Sequence, residues 1–276
     1  MIHRIAVDGG ILEIADEGPK AAPEPPIVLL HGFTGSKESW GDLRALLGRS
    51  RRVVSADLPG HGGTEMGSEL RRYSMEAAAR ALVDALARLD IDRFGLAGYS
   101  MGGRLALFVA LEYPARVERL LLESASAGIA DPEERARRRT SDEELARFVE
   151  RSGIEAFVDR WERLPLFETH RSLAREVREE LRRSRLSCRP SGLAASLREM
   201  GTGSQPWLGA RLGELTIPVV IAAGALDEKF MRIGREMAVA IRNARLCVIE
   251  GAGHAPHLER PAEFNRIAET FFAARQ

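Results

Sequence analysis

The sequence predicts an α/β fold: a mostly parallel sheet with helices on both faces, interrupted by an inserted helical cap. Three observations predict it. Short apolar runs alternate with helical stretches from residue 27 to residue 123, the order that builds parallel sheets through helical crossovers. That alternation stops at about residue 128, where helical periodicity and dense charge continue with no convincing strand, and it resumes at Pro218. Between one strand and one helix stands the turn Gly98-Tyr99-Ser100-Met101-Gly102.

Residues 2–14 read as a hairpin turning at Asp8-Gly9-Gly10. The Pro-rich loop from Gly18 to Pro26 leads into Ile27-Val28-Leu29-Leu30, a continuous apolar run of the kind found in strands buried on both faces. A helix is expected near 38–48, then the strand Val53–Ala56 and the turn-rich loop from Asp57 to Thr64. Ser74 can cap a helix running to about Leu89. The strand Phe94–Ala97, a helix over Met101–Glu112 and the strand Leu120–Glu123 complete the first half. The second half holds a strand over Pro218–Ala223, a helix near 229–241, the strand Arg245–Ile249 and a helix from Pro261. The core is thus expected at 1–127 and 206–276, with the cap at 128–205.

A length of 276 residues suits one large domain or a core with a small insert. The chain is 45% hydrophobic and 29% charged, and its 40 basic and 40 acidic residues cancel. No whole-protein field therefore favours nucleic acid or an anionic membrane surface. Lysine occurs only at 20, 37 and 229, so arginine supplies nearly all the positive charge. Most of that is read as compositional bias, although a guanidinium fork at a site would match carboxylates two oxygens at a time. Cys188 and Cys247 form no metal or CxxC spacing, and no His/Cys cluster has ligand spacing. No apolar stretch has signal-peptide or membrane-span length. The expectation is a soluble, cytoplasmic protein with no metal, no cofactor, no nucleic-acid or membrane partner, and an oligomeric state left open.

A G-x-S-x-G motif gains meaning from its strand–turn–helix setting, because flanking glycines permit the sharp reversal that lifts the serine above the sheet edge. A serine hydroxyl needs a partner to take its proton. Downstream lie His170, His254 and His257. His170 falls in the cap, away from any strand end, and His257 is read as a surface or supporting histidine. His254 follows the strand ending at Ile249, and Asp227 follows the strand ending at Ala223. Ser100, Asp227 and His254 are therefore the candidate triad, in the chain order serine, acid, histidine. His31-Gly32-Phe33 follows a buried strand, so the amides of Phe33 and Met101 are the candidate oxyanion donors. Pro and Gly shape the Asp57–Gly62 loop, and His61 is read as bracing it.

The stretches Gly98–Arg104, Asp57–Thr64 and Met200-Gly-Thr-Gly-Ser-Gln-Pro206 together resemble the α/β-hydrolase-fold 2-succinyl-6-hydroxy-2,4-cyclohexadiene-1-carboxylate synthases of the menaquinone pathway. So do Glu134–Asp142 and Trp161…Pro165-Leu166-Phe167, and the similarity runs from about Val28 to Pro261. Trp207 stands one or two places earlier than the family's tryptophan after Gln-Pro. The resemblance implies elimination of pyruvate from a tricarboxylate small molecule, with Tyr99, Arg104, Arg138, Trp161 and Arg185 as substrate-binding residues. A carboxylesterase or carbon–carbon bond hydrolase with the same triad is the alternative. A catalytically dead binding protein is a third reading, against which the intact Ser100, Asp227 and His254 argue.

Overall fold

A computed structural model describes residues 1–274. The strands are β1 (Ile2–Val7), β2 (Gly10–Glu17), β3 (Ile27–Leu30), β4 (Val53–Ala56), β5 (Glu65–Met66), β6 (Phe94–Tyr99), β7 (Val117–Glu123), β8 (Val219–Gly224) and β9 (Ala244–Ile249). Among the described residues they form one sheet in the order β1-β2-β4-β3-β6-β7-β8-β9, with the short β5 paired to β2. From β4 to β9 neighbours are parallel; β1 and β2 add an antiparallel edge.

The helices are α1 (Gly41–Leu47), α2 (Met75–Ala87), α3 (Met101–Glu112), α4 (Pro132–Trp161), α5 (Arg175–Leu186), α6 (Pro190–Met200), α7 (Glu228–Ala240), α8 (Pro256–Glu259) and α9 (Pro261–Ala273). Side chains alternate across a strand, so β3 divides its apolar run between two cores. Val28 and Leu30 pack with Leu82 of α2 and Leu105 of α3 on one face. Ile27 and Leu29 pack with Leu43 of α1 and Phe264 and Phe271 of α9 on the other. Cover on both faces is why β3 carries no polar residue.

The helices α4, α5 and α6, with a 3₁₀ segment over Pro165–Ser172, all lie between β7 and β8. Ala146, Val149, Phe157, Leu193 and Leu197 give them a buried cluster of their own. Helix α4 is broken at Gly153 (φ 79°, ψ 176°). The segment is seated on the core at Gly60, where a Cβ would lie 2.3 Å from the Gly192 carbonyl oxygen. No helix among the described residues is long and apolar enough to cross a membrane.

Four elements differ from expectation. Helix α1 starts at Gly41 and not near 38. The Lys37 N–H donates to Asp57 Oδ1 (2.6 Å) and the Lys37 ammonium is drawn inward to Asp57 and Glu13, so this backbone is held in a turn. Strand β7 starts at Val117, because Val117 pairs with Phe94 across an irregularity in register. The β2 strand runs on to Glu17 by pairing with β4, and β5 is an addition that its two-residue length hid.

Candidate active site

Ser100 sits between β6 and α3 with φ 50° and ψ −107°, a conformation that L-residues rarely adopt. The flanking glycines make it possible: a Cβ on Gly98 would lie 2.3 Å from the Gly102 carbonyl oxygen, and one on Gly102 would lie 2.2 Å from that of Leu30. The Ser100 N–H donates to the Glu123 carbonyl (2.8 Å), which ties the turn to the neighbouring strand end. Asp227 leaves the end of β8 and caps α7, its Oδ1 accepting the Phe230 N–H (3.1 Å). His254 leaves the end of the adjacent β9. Where the two loops meet, a Cβ on Gly224 would be 2.2 Å from the Gly253 carbonyl oxygen.

These placements bring the three side chains into line. The His254 Nδ1–H donates to Asp227 Oδ2 (2.8 Å), which leaves Nε2 as the acceptor facing Ser100 Oγ at 3.1 Å. The Phe33 and Met101 amide N–H groups have no hydrogen-bond acceptor among the described residues. The Phe33 amide follows a loop pinned by His31, whose Nδ1–H donates to the Gly32 carbonyl (2.8 Å) while Nε2 accepts the Leu58 N–H (3.0 Å). His61 braces that loop: its Nδ1–H donates to the Pro59 carbonyl (3.1 Å), and its ring contacts those of His31 and Phe33.

A cavity of about 1200 Å³ opens between the sheet edge and the inserted helices, and Ser100 and His254 face it. Tyr99, Arg104, Arg138, Trp161 and Arg185 all line it. Arg104 is buried; its Nη1 donates to the Met200 carbonyl (2.8 Å) and Gln205 Oε1 (2.9 Å), and it forms no ion pair among the described residues. Burial, reinforced by repulsion from Arg138, lowers its pKa to about 10, so it stays charged at neutral pH. Arg185 is also buried, bonds Glu162 Oε1 through Nη1 (3.1 Å) and lies over the Phe167 ring; its Nε has no hydrogen-bond partner among the described residues. Arg138 is more open and bonds Asp142 Oδ1 (2.9 Å). Trp161 stacks on Phe157, and its buried indole N–H has no acceptor among the described residues. Burial, with Glu123 nearby, raises the Tyr99 hydroxyl well above the usual phenol range.

Two further histidines border the site. Of the two readings open for His257, surface or supporting, the surface one fails: it is buried, with Nδ1 held by Glu123 Oε1 (2.8 Å) and its ring 4.7 Å from that of Tyr99. His170 is in the inserted segment yet lines the same cavity, 3.6 Å from Glu259. The carboxylates Glu123 and Glu259 were not singled out by sequence reasoning. Glu259 follows His254 by five residues and carried no signal apart from that spacing; Glu123 carried only its place at a strand end.

An α/β-hydrolase-fold family model matches residues 25–261. The chain is 42% identical over 267 residues to a Bacillus subtilis (strain 168) protein named, provisionally, as 2-succinyl-6-hydroxy-2,4-cyclohexadiene-1-carboxylate synthase, covering 97% of this chain and 96% of that one. It is 30% identical over 257 residues to the Pectobacterium atrosepticum protein of the same name, covering 93% and 97%. The solved structure of MenH from S. aureus superposes with a TM-score of 0.90 at 33% identity, covering 94% of this chain and 97% of that one. The inserted helices α4, α5 and α6 fall inside these matches, so the likeness extends beyond the motifs common to the whole fold, and the chain belongs to the 2-succinyl-6-hydroxy-2,4-cyclohexadiene-1-carboxylate synthase family of α/β-hydrolase-fold enzymes.

Proposed function

We propose that this protein is a cytoplasmic carbon–oxygen lyase that eliminates pyruvate from 2-succinyl-5-enolpyruvyl-6-hydroxy-3-cyclohexene-1-carboxylate. The observation that carries the reading is the Ser100–His254–Asp227 line opening onto a cavity with a buried Arg104 whose hydrogen-bond acceptors are neutral. Neutral His254 accepts the Ser100 proton at Nε2, and Asp227 steadies the imidazolium through Nδ1. Ser100 Oγ, so activated, removes the ring proton beside the succinyl ketone. The electron pair moves onto the ketone oxygen, which the Phe33 and Met101 amides receive. The dienolate then collapses along the ring, the ring carbon–oxygen bond breaks, and enolpyruvate leaves to become pyruvate. No acyl-enzyme forms.

Arginine forks suit a tricarboxylate. Arg104, Arg138 and Arg185 are its counter-ions in this reading, and Tyr99 and Trp161 are walls that offer a hydroxyl and an indole N–H. Residues 128–205 act as the cap that closes this cavity. The test is pyruvate release from the purified pathway intermediate, run beside p-nitrophenyl ester hydrolysis. Pyruvate release with slow ester turnover is expected; fast ester turnover without pyruvate would replace the lyase with the acyl-enzyme hydrolase.

A further inference from the structure

The loop that carries His254 is held from behind by one carboxylate. Glu259 is almost fully buried, 4% exposed at its side chain. Its Oε2 accepts the Gly253 N–H (2.6 Å) and its Oε1 accepts the Ala255 N–H (3.0 Å). Those are the two amides flanking His254, so one rigid group fixes the backbone on either side of the imidazole. Charge-assisted bonds of this kind are the short, strong ones.

The same carboxylate meets the inserted segment Pro165–Ser172 on its other side. His170 places Nε2 3.6 Å from Glu259 Oε1, close to bonding distance but outside it, and neither of its buried ring nitrogens has a hydrogen-bond partner among the described residues. A buried N–H without an acceptor is unfavourable, so this ring gains by a small approach. Its neighbours already touch the His254 loop: a Cβ on Gly253 would be 2.4 Å from the Thr169 hydroxyl oxygen, and the Phe167 ring stands 6.2 Å from that of His254.

We propose that Glu259 is a positioning residue for His254, and that His170 donates an Nε2–H bond to it when the cap settles over bound substrate, so that cap closure tightens the hold on the catalytic imidazole. This rests on Ser100 and His254 acting together, as in the proposed function, but not on which bond the substrate breaks.

The test uses the full-length protein with two readouts: the rate of Ser100 labelling by a fluorophosphonate without substrate, and kcat and KM for pyruvate release. Glu259→Gln keeps the shape but turns an amide NH₂ toward one of the two N–H donors; labelling and kcat should both fall about tenfold, with KM within about twofold. His170→Phe keeps the packing and removes the donor; kcat should fall about threefold while substrate-free labelling is unchanged, and the change should add nothing in the Glu259→Gln background. A folded Glu259→Gln protein labelled at the wild-type rate would overturn the positioning role. A wild-type kcat in His170→Phe, or losses that multiply in the double variant, would overturn the coupling to the cap. A wild-type protein that is labelled but releases no pyruvate would sink the lyase reading alone, leaving the labelling rates to decide this one.

Discussion

At the residue scale, the proposed chemistry rests on the Ser100 hydroxyl, held in an unfavourable backbone conformation 3.1 Å from the His254 imidazole. Replacing Ser100 with alanine removes the oxygen without filling the turn. Pyruvate release should fall by about 10³-fold or more, with the unfolding midpoint nearly unchanged. Substantial residual turnover would mean that His254 takes the substrate proton unaided. Arg104 is a buried cation beside the cavity whose Nη1 is steadied by neutral acceptors and which forms no ion pair among the described residues. Arg104→Met should raise KM by about 10- to 100-fold, the loss of one charge-assisted contact. Steady-state kinetics with KM and kcat both unchanged would remove Arg104 from the site.

At the element scale, the strand–turn–helix unit around Ser100 is set by close backbone approach more than by side-chain packing. A methyl at 102 would meet the carbonyl oxygens of Leu30 and His31 at 2.2 and 2.4 Å, and backbone atoms cannot swing aside as a side chain can. Gly102→Ala should therefore destabilise the fold by about 2–4 kcal/mol, read as a lower urea midpoint. Helix α2 makes a milder comparison. Ser74 Oγ accepts the Ala77 N–H (3.2 Å), and Ser74→Ala should cost about 1 kcal/mol by the same measurement. Equal losses for the two variants would argue against a steric cause at 102.

At the scale of the whole molecule, buried neutral histidines tie folding to pH. Burial lowers His31 to about 4 and His61 to about 3, and both rings are bonded through Nδ1–H in their neutral form. A histidine with a depressed native pKa binds its proton more readily in the unfolded chain, so the sign is a loss of stability on acidification. The loss should begin as pH falls below the ordinary histidine value of 6.5 and continue toward about pH 4 for His31 and about pH 3 for His61. Urea midpoints measured from pH 7.5 to 4.5 should decline through that window. A flat profile would mean that the loop over Leu58–His61 accommodates a charged ring.

The alternation of strands and helices, the elbow at Ser100, and the strand ends that Asp227 and His254 follow are legible in the order of residues alone. These are local consequences of side-chain periodicity and of glycines flanking a sharp turn, and local restrictions are written in adjacent residues. Tertiary structure decided the rest. The inward pull on Lys37 delayed helix α1, the insertion of His257 against Glu123 decided between the surface and supporting readings of that histidine, and the docking of residues 165–172 brought His170 to Glu259 across nearly ninety positions of chain. Such pairs are selected by burial and by the need to satisfy polar groups away from water, and neither demand is visible until distant segments meet.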